Sequence, residues 1–255
     1  MESTQKPKTT NSKLERKPSH LIIVCCHAIY LGGPMKGLIE DEWLIDHFQR
    51  GETPTFTKHV KAGLRILDGD EEGVLVFLGA TKRPATDLTE GESYLNLVTD
   101  NGFFGNKNIT PAQLSAETHA TDSYQNVLFS LLQFRVHTGV YPQKLTVITH
   151  EFKRERFLGC HFPALGLRAE DEDRVSLIGI NPPEEVTPLR EGDMYSVREE
   201  LKGKRVKRGR AHGMERGLWV GVGLEGVVEE LVYWDGGKSG NDLFPKMREL
   251  PWYRS

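Results

Sequence analysis

His27, Glu117 and His150, together with the cations Lys153, Arg154 and Arg156, are the residues of this sequence best suited to chemistry. An imidazole titrates near neutrality and a desolvated carboxylate can accept a proton, so His27, His150 and Glu117 are the candidate acid/base groups. Arg154 or Arg156 can give paired hydrogen bonds to a phosphate or carboxylate, and Lys153 adds a compact positive charge. Gly79, followed by Ala80 and Thr81, would let a ligand approach the backbone closely. Thr149 stands beside His150, and Thr121 and Asp122 open a helical stretch whose free N–H donors suit an anion. The set fits an anionic small molecule, nucleotide-like or phosphorylated, adenosyl compounds included.

These residues stand at the ends of apolar runs. Leu21–Cys26, Val74–Leu78, Leu145–Thr149 and Val175–Ile180 are short and β-prone, as expected for strands buried on both faces. His27 follows the first run, Gly79 the second, and His150 the third. Between the runs lie helical periods. Val60, Leu64 and Leu67, with Ala62 and Ile66, form one stripe, and Val127, Leu128, Leu131, Leu132 and Val136 a second. Asp122 and Gln125 stand at capping-box spacing and Gly139 offers a stop. Phe152 to Phe162 reads as a shorter helix. Strands alternating with helices predict an α/β fold, a Rossmann-like three-layer α/β/α sandwich with a mainly parallel sheet and a C-terminal elaboration. In such a sheet ligands bind outside the carboxyl ends of the strands, where the polar residues gather.

Composition narrows the classes. The 255 residues are 38% hydrophobic and 27% charged, which excludes fibrous and wholly disordered chains, and a formal charge of −3 supplies no global field toward nucleic acid. No apolar stretch reaches the ~18–20 residues of a membrane span. The first 19 residues are polar and lack the apolar core of a secretory signal. Three cysteines, two of them adjacent at Cys25 and Cys26, make a poor disulfide framework, and the expectation is a cytoplasmic protein. Cys25 and Cys26 continue an apolar strand and read as core; no Cys-x5-Arg loop follows them. Residues 1–19 read as a tail and 20–182 as the Rossmann-like domain. Residues 183–255 read as a charged, tryptophan-containing extension packed on it.

Three segments resemble a known family. Ala120-Thr121-Asp122-Ser123-Tyr124-Gln125-Asn126 keeps a hydroxyl at Ser123 and the amide of Asn126. Ile148-Thr149-His150-Glu151-Phe152-Lys153-Arg154-Glu155-Arg156 keeps Thr149, Phe152 and Arg156, and the early strand ends in Cys25-Cys26-His27 where the family has a Gly-containing, Leu-Gly-Ala-like end. Together they resemble the domain of unknown function 218 family, the YdcF- and SanA-like proteins, over roughly residues 20–180. The resemblance implies a Rossmann-like fold with a polar site for a nucleotide-like ligand. It also gives Glu92 and Glu117 the places of two family acids. Gln125 replaces the family's usual Glu and Lys153 its usual His, so a general base at either place is lost.

Bland readings stand beside these. His27 and His150 serve equally well as packing histidines, Asp122 and Gln125 as a helix cap, and the Lys153–Arg156 run as a partly solvated face. Gly221-x-Gly223-x-x-Gly226 lacks the early strand–helix context of a dinucleotide loop. No metal-binding string appears, so no metal is expected, and the cofactor is left unknown. The leading expectation is a ligand-binding protein that is a hydrolase or group transferase. Its rivals are a non-catalytic sensor and a nucleic-acid binder acting through Lys202–Arg210.

Overall fold

A run such as His20–Cys25, buried at every position, needs cover on both faces, and the chain supplies it with helices of opposite placement. The computed structural model describes residues 17–79, 84–120, 123–165, 167 and 173–186. Thr81, Thr121, Asp122, the basic cluster at 202–210 and the late tryptophans lie outside those residues.

In chain order the strands are β1 (His20–Cys25), β2 (Ile29–Tyr30), β3 (Trp43–Leu44), β4 (Gly73–Leu78), β5 (Leu114–Glu117), β6 (Lys144–Thr149) and β7 (Val175–Gly179). Five of them make one sheet in the order β5-β4-β1-β6-β7, every pairing parallel. Counted within that sheet alone the order is 3-2-1-4-5, the arrangement of a Rossmann half. β2 and β3 pair antiparallel as a separate small ribbon. Helix α1 (Thr53–Asp68) joins β1 toward β4, α2 (Glu90–Asp100) lies between β4 and β5, and α3 (Ser123–Thr138) between β5 and β6.

Alternation along each strand decides the layers. Leu21, Ile23, Cys25, Val74 and Val76 face α3 and join Val127, Leu128, Leu131 and Leu132 in one core. Ile22, Val24, Cys26, Leu75 and Phe77 face the other way, onto Phe56, Val60 and Leu64 of α1 and Tyr94, Leu97 and Val98 of α2. This is the three-layer α/β/α architecture read from the sequence. α1 crosses the sheet closely at Gly63, where a Cβ would lie 2.8 Å from Val24 Cγ2. Among the described residues no helix is long and apolar enough to cross a membrane.

Some elements carry no strong sequence signal. β5 is Leu-Ser-Ala-Glu on the sheet edge and only its last residue is buried. α2 buries one short stripe and opens with a capping box at Thr89. The predicted helix after β6 is a series of short turns: 3-10 at Glu151–Lys153, α at Arg154–Arg156, π at Phe157–His161 and α at Phe162–Ala164. Val136, read as part of the α3 stripe, is 52% exposed, because the buried face of that helix ends at Phe134. Between β2 and β3, buried Glu42 accepts the backbone N–H groups of Met35 (2.7 Å) and Gly37 (2.5 Å), closing the loop around its own carboxylate.

At the opposite, amino end of the sheet, His20 is held by Asp70 Oδ2 (2.7 Å) and Thr146 Oγ1 (2.9 Å). Burial lowers its pKa below 6.5, outweighing the upward pull of Asp70; Lys144 adds to the lowering. The native state therefore holds fewer protons than the unfolded chain once pH falls below the unfolded value. His20's contribution is full above about pH 6.5 and is lost as pH falls toward its folded pKa. Urea midpoints between pH 7.5 and 5.5 should fall more steeply for the natural protein than for His20→Gln, with a difference of at most about 1.4 kcal/mol per pH unit. Parallel profiles would contradict this.

Candidate functional site

The strand order reverses between β1 and β6, and the carboxyl ends of these two strands deliver His27 and His150 side by side. Their rings stack with centroids 4.3 Å apart. α1 adds His59, whose ring lies 4.9 Å from His150 and 5.7 Å from His27, and Phe56, packed against His27 and His150. Lys153, on the turn after β6, places Nζ 3.3 Å from His27 Nδ1. Thr149, fully buried at the end of β6, sets its hydroxyl beside the Cys25 thiol.

The electrostatics follow from crowding potential cations into protein. Burial lowers the pKa of His27 far below its ordinary value, and Lys153 and the two neighbouring imidazoles lower it further. His59 is pushed down to about 4 by burial. His150 is lowered chiefly by burial, then by Lys153 and His59. All three rings are neutral at pH 7. Lys153 is half-buried, with its ammonium beside the His27 ring. Burial lowers its pKa to about 8; Arg156 adds to this, while Cys25, Glu90 and Glu52 oppose it. Among the described residues no carboxylate lies within ion-pair distance of Lys153.

The cluster also leaves polar atoms without partners. His27 Nε2, His59 Nδ1 and both nitrogens of His150 are buried and make no hydrogen bond. Such atoms are rare in folded proteins and costly, and four of them lie together here. His59 Nε2 is engaged, donating to the Ile180 carbonyl at 2.8 Å just past β7. Glu52, buried at the start of α1, sets Oε2 4.0 Å from His150 Nε2.

Other residues read from the sequence lie elsewhere or are engaged. Glu117 ends β5, two strands from β1; its oxygens accept the N–H groups of His119 (2.6 Å) and Ala120 (3.0 Å). Burial raises its pKa, against the pull of those donors. Glu92 is exposed and closes the α2 capping box, accepting the Thr89 N–H at 2.9 Å and its hydroxyl at 2.8 Å. Gly79 ends β4 at φ +147, with its N–H on the Glu117 carbonyl, and a Cβ there would run into Glu90. Ser123 Oγ lies 2.8 Å from His161 Nε2. Asn126, one turn along α3, is half-buried. Arg154 is tied to Glu151 through Nε (2.5 Å) and Nη2 (2.8 Å), whereas Arg156 is half-buried and acts electrostatically on Lys153. The Phe152 N–H, at the start of the turns after β6, donates to Asn181 Oδ1 at 3.1 Å. Buried Cys25 and Cys26 are core: burial pushes the Cys25 thiol up to about 11 and Cys26 well up too, so neither is a ready nucleophile.

The structure thus joins His27, Thr149, His150 and Lys153, with Arg156 acting on Lys153, and adds three residues that sequence reading passed over: Glu52, Phe56 and His59. His59 was visible in principle. Phe56, His59, Val60, Gly63, Leu64 and Leu67 fall on one face of α1, so a histidine inside that stripe had to be buried.

A parallel sheet with a polar cluster at its switch point defines an α/β protein of Rossmann-like architecture. The chain is similar to the uncharacterized protein YOR238W of Saccharomyces cerevisiae, 25% identical over 206 residues that span 64% of this chain and 67% of the yeast protein. No protein-family model matches the chain. No solved structure matches it.

Proposed function

We propose that the chain binds a phosphorylated or nucleotide-like small molecule at the carboxyl ends of β1 and β6. The observation that carries this reading is Lys153: a partly desolvated ammonium beside His27 with, among the described residues, no carboxylate in ion-pair reach. An isolated buried cation is costly, and an anion arriving there would supply the missing charge. A neutral imidazole on His150, or on His27 once Lys153 turns from its Nδ1 to the anion, can accept a proton from an attacking water or hydroxyl, which suits hydrolysis or group transfer. The resemblance to the domain of unknown function 218 family supports the same class of ligand, and sparse cysteine supports a cytoplasmic setting.

A sensor without turnover is the second reading. It is favoured by Glu117, whose oxygens are committed to backbone donors of its own loop rather than to the histidine cluster. A panel of nucleotides, adenosyl compounds and phosphorylated metabolites separates the two. At a ligand concentration 100 times Kd, binding should stabilise the fold by about 2.7 kcal/mol, read as a rise in melting temperature. Arg156→Ala should cut that rise by weakening the positive field at Lys153. Product released from a stabilising ligand, lost in His150→Gln, supports turnover; stabilisation without product supports the sensor. No stabilisation by any compound at millimolar concentration sinks the anion site.

A further inference from the structure

We propose that His27, His59 and His150 form a three-imidazole site for a divalent late transition-metal ion, with Zn²⁺ the best match. The proposal deepens the anion-site reading and rests on the same cluster of side chains, though metal binding can be measured without any anionic ligand. One nitrogen from each ring lies within 4.8 Å of the others, with the three rings carried by the end of β1, by α1 and by the end of β6. Two nitrogens on a tetrahedral zinc with bonds of 2.0–2.1 Å sit about 3.3 Å apart. Small ring rotations close that difference.

Hydrogen bonding selects the atoms. His59 donates from Nε2 to the Ile180 carbonyl, which leaves the lone pair on Nδ1, the nitrogen without a partner. Fixing one ring nitrogen on a backbone carbonyl so that the other is free for a metal is the usual outer support of a ligating histidine. The Lys153 ammonium can only donate to His27 Nδ1, which puts the ring proton on Nε2; ligation through Nε2 therefore moves that proton to Nδ1 and releases the Lys153 hydrogen bond. His150 has Glu52 Oε2 at 4.0 Å from Nε2, a carboxylate placed to support the ring and offset the charge of the ion. His59 is fully buried and His150 is 3% exposed, so water does not readily serve these atoms instead.

Imidazole suits zinc, copper and nickel, while calcium and magnesium prefer oxygen ligands. Three protein ligands leave a coordination position for a water or a phosphoryl oxygen, the pattern of catalytic rather than structural zinc. Lys153 would then meet the far side of the same anion. The sequence shows no metal string because the three histidines are 32 and 91 residues apart, on separate elements.

The test uses the untagged full-length chain, stripped with chelator and titrated with Co²⁺. One equivalent should bind with the strong visible absorption of low-coordinate Co²⁺, and Zn²⁺ should displace it. His59→Ala and His150→Gln should each weaken binding by roughly 100-fold, whereas His47→Ala and His119→Ala should leave it unchanged. X-ray absorption on the natural protein should count three imidazoles, which needs no variant to fold. Lys153→Met should tighten the metal while removing anion stabilisation, so failure of one reading is distinguishable from failure of the other. Absence of stoichiometric binding, an octahedral spectrum, or fewer than three imidazoles would overturn the proposal.

Discussion

Lys153→Met is expected to raise the melting temperature of the unliganded protein and to abolish its stabilisation by anionic ligands. Methionine has nearly the length of the lysine stem and no charge, so it keeps a side chain beside Phe152 and gives up the hydrogen bond to His27 Nδ1. What it removes is an ammonium that burial and Arg156 disfavour. Replacing buried ion pairs by apolar groups of like volume is neutral or stabilises other folds by up to about 4 kcal/mol, and removing this desolvated charge is expected to give about 1–3 kcal/mol. A residue that costs stability yet sits at a switch point has a functional reason to be there. Differential scanning fluorimetry with and without ligand reads both effects. A lower melting temperature for the unliganded variant would mean that Lys153 has a structural counter-charge; retained ligand stabilisation would mean that the anion binds elsewhere.

Phe56→Ala carries the other large effect, this time on the fold. Phe56 is fully buried, and its ring lies 5.7 Å from His27, 6.1 Å from Trp43 and 6.1 Å from His150. Truncation should cost about 3–5 kcal/mol through lost burial and the cavity left behind. Against a total stability of about 5–15 kcal/mol that is a large share, and it should loosen the histidine cluster as well. Phe48, 66% exposed, gives the contrast: Phe48→Ala should change stability by no more than about 0.5 kcal/mol. Urea unfolding measures both. A loss under about 1 kcal/mol for Phe56→Ala would contradict the packing described.

The sheet was legible because its central strands are continuous apolar runs with no competing helical period. Leu21–Cys26 could hardly be anything but a strand covered on both faces. β5 was not legible, since an edge strand of Leu-Ser-Ala-Glu needs only one apolar contact and leaves no pattern. Half of the site was visible by the rule that strand ends hold the chemistry, which pointed to His27, Thr149, His150 and Lys153. Glu92 and Glu117 could not be separated from such residues by type alone. Only their partners, a capping threonine and two backbone N–H groups, show what their oxygens do. His59 stayed hidden because a histidine in a helical stripe has no chemical meaning until the sheet brings two others beside it.

Calorimetric titration of ADP and of inorganic pyrophosphate into the natural protein and Lys153→Met, side by side, tests the anion site most directly. Saturable binding of one equivalent to the natural protein, absent in the variant, is the expected result. Equal heats in both proteins, or none in either, would contradict it.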